Sequence, residues 1–147
     1  MMGDATPIRL CKGVYKEHPD VAFPEKIDVD KNFDRLTEDI IDFSSKLGAP
    51  EISADGKIPP LAAIATHDSK RIDFAKAYAQ KISYQNSALE FQMLFGIRRD
   101  LQEELMELGY PVRVYVPFGT DWYPYFVRRL AENPANLWFF LSNYFRK

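Results

Sequence analysis

Two adjacent arginines, Arg128 and Arg129, with Glu132 four residues after the first and three after the second, are the residues of this 147-residue sequence best suited to gripping an anion. Positions three and four apart are neighbours on a helix, so the Glu132 carboxylate can brace a guanidinium. Two fixed guanidiniums make a fork for a carboxylate or a phosphate. The same spacing also suits a solvated helix face with an ordinary ion pair, and spacing alone leaves both readings open. Further candidates gather at the ends of apolar runs: Arg9, Lys12 and Gly13 around IRLC, Thr66 and His67 after LAAIA, Phe95-Gly96 after LEFQML, and Tyr115 within VRVYV. Each has a purely structural use as well. A histidine before a helix can cap it, an arginine can pair with a buried acid, and a tyrosine can be core with its hydroxyl satisfied.

The hydrophobic pattern predicts the frame that must position these groups. Pro7 to Cys11 is a short apolar run that Lys12-Gly13 ends, and a glycine there lets the backbone approach a ligand. Glu17 to Asp30 contains Pro19, Pro24 and several charges and reads as a loop. From Asp30 the spacing Phe33, Leu36, Ile40, Phe43, Leu47 predicts an amphipathic helix, with Gly48 at the stop. Turn signals fill Ala49 to Pro60, and Leu61 to Ala65 then reads as a strand buried on both faces. Ser69 is expected to cap a helix running to about Ile82, with Ile72, Ala75, Tyr78 or Ala79, and Ile82 turned inward. Ser87 to Phe95 reads as a strand, Arg98 to Leu108 as a helix with Leu101, Leu105 and Leu108 on one side, and Gly109 as its stop. A final strand from Val112 runs into Pro117 and Gly119, and a helix reopens at Thr120 or Asp121. Alternating strands and helices imply an α/β fold with a parallel sheet and right-handed crossovers, and four such units in a curved run are half of a (β/α)8 barrel. In such a barrel the chemistry sits at the C-terminal ends of the strands. No repeat or linker divides the chain, so residues 1–147 are expected to form one domain, part of such a barrel.

Four stretches, IRLCKGVYKE, IATHD, EFQMLFGI and RVYVPFG followed by YFVRRLAENPAN, resemble motifs of the proline dehydrogenase family in that family's order. The resemblance implies the C-terminal half of a flavin-dependent (β/α)8 barrel, about the last four β/α units plus a C-terminal helix. It implies FAD as cofactor, L-proline as substrate, and hydride transfer to the flavin with 1-pyrroline-5-carboxylate as product. By that resemblance Arg9 lies against the flavin ring, where a fixed cation stabilises developing negative charge. Lys12, Gly13 and Val14 match one cofactor contact, Val14 standing where alanine is usual, and Thr66 with His67 match a second. Tyr115 and Leu94 match the wall of the substrate pocket. Arg128 and Arg129 match the pair that binds the substrate carboxylate, and Glu132 the acid that orients Arg128. The family's substrate-contacting lysine and active-site aspartate come from the first half of the barrel and have no counterpart in this sequence. A missing first half, or self-association in its place, is therefore an expected partner. The alternative function is a non-catalytic half-barrel acting as a binding or assembly module.

Bulk composition narrows the field further. With 46% hydrophobic and 27% charged residues the chain is globular material long enough for a sizeable core, and a net charge of −2 with interspersed signs argues against a nucleic-acid surface. One cysteine, Cys11, excludes an internal disulfide and fits a cytoplasmic setting. The N-terminus lacks a secretion pattern, and NLWFFLSNYFRK is too short to span a bilayer. That aromatic segment leaves peripheral contact with a membrane or a quinone open. Two histidines and one cysteine, far apart, match no metal-ligand spacing and no nucleophile triad.

Overall fold

A computed structural model describes residues 6–13, 17–116, 118 and 119. Four strands, β1 (Ile8–Cys11), β2 (Ala62–Ala65), β3 (Leu89–Leu94) and β4 (Val112–Tyr115), alternate with three helices, α1 (Lys26–Lys46), α2 (Ser69–Lys81) and α3 (Arg99–Glu107). All three strand pairings are parallel, and the order in the sheet is β1-β2-β3-β4, so each unit is laid beside the one before it. This is the parallel α/β sheet that the alternation predicts.

Successive side chains of a strand point to opposite faces. Leu10, Ala62, Ile64, Leu89, Phe91, Met93 and Val112 therefore share one face, and they join one core with Phe33 and Ile41 of α1, Ile72, Ala75 and Ala79 of α2, and Leu101 and Leu105 of α3. Phe91 meets Tyr110 edge-on, with ring centroids 5.2 Å apart. The opposite face carries Arg9, Cys11, Ala63, Ala65, Glu90, Gln92, Leu94, Arg113 and Tyr115. No described helix packs on it.

Helix α1 differs from its expected form in two ways. It begins at Lys26, inside the stretch read as a loop, although its N-cap residue Glu25 makes no side-chain capping bond. The first turn is held instead by Asp30, which accepts from Lys26 one turn back and from Lys12 just past the end of β1. The buried stripe is Phe33, Thr37, Ile41 and Ser44, whereas Phe43 and Leu47 are half exposed. Polar residues suit that stripe because each is bonded locally: Thr37 Oγ1 donates to the Phe33 carbonyl, and Ser44 Oγ accepts from the Tyr84 hydroxyl at 2.6 Å. Both expected glycine stops, Gly48 and Gly109, have positive φ.

On α2 the cap is Asp68, whose carboxylate accepts from the Lys70 N–H, and Ser69 is the first helical residue. Ile72, Ala75 and Ala79 are buried as expected, with Tyr78 and Ile82 packed at the margin. On α3 Leu101 and Leu105 are buried, but Leu108 lies beyond the helix end and is 46% exposed. Gln102 takes the third inward place, donating to the Ile97 carbonyl at 2.8 Å.

Candidate active site

β1 sets Arg9 on the sheet face away from the described helices, in register with Ala63 and Glu90. Arg9 is exposed and has no ion pair among the described residues. Its register partner on β2, Ala63, is buried, and Ala65, in register with Cys11, is partly exposed. Gly13, just past the strand, has nothing within 4 Å of where a Cβ would stand. The described chain therefore does not itself require glycine there.

Lys12 is already engaged. Its ammonium donates to Asp30 and, at 2.9 Å, to Asp68, and it lies 5.6 Å from the Phe33 ring centroid. One side chain thus ties the end of β1 to the starts of α1 and α2. The hydrogen bonds from Lys12 and Lys26 hold the Asp30 carboxyl down at about 2.

The loop after β2 is built by three consecutive residues. Thr66 Oγ1 accepts from the Asp68 N–H at 3.1 Å, Asp68 caps α2, and His67 reaches across to β3, where its Nε2 accepts from the Leu94 N–H at 2.9 Å. An accepting Nε2 places the imidazole proton on Nδ1, so His67 presents a donor to any partner on its other side. Burial, followed by the nearby Arg98 charge, holds the His67 pKa below its usual value and keeps the ring neutral. Arg98 is itself fixed by bonds to Asp100 and to Ser69 Oγ.

β3 and β4 bring Leu94 and Tyr115 into register at the C-terminal end of the sheet. Tyr115 is 53% exposed, and its carbonyl accepts from the Phe95 N–H. Below them lies a polar group that no motif pointed to. Glu90 is completely buried, with Arg113 Nε donating to one carboxylate oxygen at 3.0 Å and Nη2 to the other at 2.9 Å. Gln92 Nε2 donates to the same carboxylate at 2.6 Å, which leaves the amide oxygen turned from Glu90. Arg113 Nη2 also meets the Gly56 carbonyl in the loop before β2. The signal was present in LEFQML and VRVY: polar residues two apart in an apolar strand mark one face of it.

Arg9, Leu94 and Tyr115 thus share one face, with Thr66 and His67 at the C-terminal end of the adjoining strand. Val14, Arg128, Arg129 and Glu132 lie outside the described residues, as does the expected helix after Gly119. Among the described residues no cluster of histidine, cysteine and carboxylate side chains has the makings of a metal site, and no helix is long and apolar enough to cross a membrane.

The family model described as proline dehydrogenase matches residues 3–141. The chain belongs to the proline dehydrogenase family. Proline dehydrogenase 2 of Bacillus subtilis (strain 168) is 46% identical over 132 residues, 90% of this chain and 39% of that protein. Proline dehydrogenase of Deinococcus radiodurans is 44% identical over 129 residues, 88% of this chain and 37% of its own. Among solved structures, that of proline utilization A from Bdellovibrio bacteriovorus inactivated by N-propargylglycine is similar, with a TM-score of 0.65 and 27% identity over 85% of this chain and 13% of that one. The chain spans about two fifths of the length of the curated proline dehydrogenases that it matches.

Proposed function

We propose that this chain is the C-terminal half of a (β/α)8 barrel that oxidises L-proline to 1-pyrroline-5-carboxylate with FAD as the hydride acceptor. The observation that carries the reading is the grouping of Arg9, Leu94 and Tyr115 on the one sheet face left uncovered by the described helices. An exposed cation suits a ring that gathers negative charge, and FAD bound there would supply a two-electron acceptor. Arg9 holds its charge next to that ring. His67 offers its Nδ1–H to the cofactor, Thr66 shapes the turn that presents it, and Gly13 and Val14 supply backbone contacts. Lys12 sets the position of the β1 end through Asp30 and Asp68.

Tyr115 and Leu94 wall the substrate side. Arg128 and Arg129 grip the proline carboxylate, with Glu132 orienting Arg128, so that the ring carbon next to the substrate nitrogen faces the hydride acceptor. The first half of the barrel supplies the remaining substrate contacts. We place the protein in the cytoplasm, with residues 137–147 as the segment suited to contact a membrane surface or a quinone acceptor.

The reading is tested in a full-length barrel in which this chain completes the first part of Bacillus subtilis proline dehydrogenase 2. Proline-dependent reduction of a dye is expected, and its absence from a folded, flavin-loaded protein rejects the assignment. Arg128→Ala and Arg129→Ala should each lower kcat/KM roughly 10- to 150-fold, the size of a lost charge-assisted hydrogen bond. Arg129→Lys should do less harm, acting mainly on KM, because lysine keeps the charge without the planar fork. Unchanged kinetics in both alanine variants would make the pair mere surface charge.

A further inference from the structure

Glu90 and Arg9 occupy the same row of the same sheet face, two strands apart, with only the Ala63 methyl group between them. Strand spacing puts their backbones roughly 10 Å apart, within the combined reach of an extended arginine and a glutamate. A completely buried carboxylate needs a cation. Arg113, approaching from β4 on the other side, supplies it with both ends of its guanidinium, and Gln92 adds an amide donor. Arg9, in the same row, is exposed and without an acid partner among the described residues.

We propose that Arg113 is a positioning residue for Arg9: by committing Glu90, it keeps Arg9 available as an uncompensated cation for the electron-accepting group. Without Arg113, the buried Glu90 charge would recruit Arg9 across Ala63 and turn its guanidinium away from the ligand side. The inference rests on the flavin reading only for what Arg9 then meets. The competition between two arginines for one carboxylate stands apart from it.

The full-length barrel carrying this chain separates the two. In its flavin-free form, Arg9 is followed by the NMR signal of its Nε–H. In Arg113→Met this signal should become protected from exchange and lose that protection again when Glu90→Gln is added. In the flavin-loaded form, sulfite, which adds to an oxidised flavin as an anion, reports the positive charge near the ring. Arg113→Met should weaken sulfite binding about tenfold, as for one unit charge withdrawn at roughly 8 Å in a medium between protein surface and water. Glu90→Gln should leave sulfite binding unchanged or tighter, because both arginines are then released, and Arg113→Lys should recover much of the parent's affinity. A merely structural role predicts weaker binding in both Arg113→Met and Glu90→Gln. An Arg9 signal indifferent to Arg113→Met, or the two variants moving sulfite affinity the same way, overturns the proposal. If Arg113→Met does not fold, Glu90→Gln alone still decides: weakened sulfite binding in a folded protein overturns it. A parent that takes up no flavin would reject the flavin assignment and leave the Arg9 signal to decide this one.

Discussion

His67 stays neutral because its Nε2 must accept the Leu94 N–H, and a protonated ring has no lone pair to offer. Its pKa is lowered in the folded chain, first by burial and then by Arg98. A group whose protonation is disfavoured by folding contributes stability that is complete above its unfolded pKa, near 6.5 for histidine. As pH falls below that value the unfolded chain takes up the proton first, and stability declines until the folded pKa is reached. His67→Gln keeps an acceptor for the Leu94 N–H and removes the titration. Melting temperatures recorded from pH 8 to pH 5 should therefore fall less steeply on the acid side for the variant. Parallel curves would show that the ring's protonation is not coupled to folding. The Asp30 carboxyl behaves in the same sense at lower pH: its pKa is held at about 2, so its contribution is present above the usual carboxylate value and is lost only as pH falls from there to about 2. The two effects occupy separate windows, which lets the histidine be read alone.

At the scale of elements, α1 offers a direct comparison between periodicity and packing. The spacing of Phe33, Leu36, Ile40, Phe43 and Leu47 marks an amphipathic helix, yet the sheet takes the adjoining stripe, in which Ile41 is completely buried while Phe43 is 50% exposed. Ile41→Ala should cost about 2–5 kcal/mol and Phe43→Ala about 1 kcal/mol or less, read from denaturant midpoints at constant slope. The reverse ranking would place the helix in another rotation. Thr37 and Ser44 look like surface in the sequence because the partners that satisfy them, a carbonyl four residues back and the hydroxyl of Tyr84, become apparent only in the folded chain. The start of α1 was hidden for a related reason: Lys26, Asp28, Asp30 and Lys31 carry charge without apolar spacing, and the turn depends on Lys12, which follows a strand distant in sequence. Strands were easier to read. AAIA and LEFQML are short apolar runs bounded by breakers, and the candidate residues at their ends follow from the architecture. Glu90 and Arg113 were legible only as polar residues among apolar ones, since a pairing between separate strands leaves no local mark.

For the whole molecule, β1 and β4 each pair on one side only among the described residues, and the face bearing Arg9 has no described helix over it. Unpaired strand edges recruit further strands. The chain alone is expected to self-associate and to lose FAD on dialysis, since it holds only part of the proposed site. Sedimentation velocity and the absorbance of the dialysed protein check both. A cooperative monomer that stays yellow would show that the rest of the barrel is dispensable.

The sequential strand order also sets a timetable. Phe91 finds Val112 across a short loop, Ala62 finds Leu89 across a slightly longer one, and Ile8 must wait for Ala62 across the longest. Loop closure grows costlier with length, by about 0.6 kcal/mol per doubling, and β1 adds little burial to offset it. The strand bearing Arg9 should thus dock last during folding and open first afterwards. In hydrogen–deuterium exchange the amides of Leu10 and Cys11 should trade their protons well before those of Phe91 and Met93. A cation carried on the most readily released strand makes Arg9, the charge of the proposed site, a late arrival, assembled only after the rest of the scaffold has set.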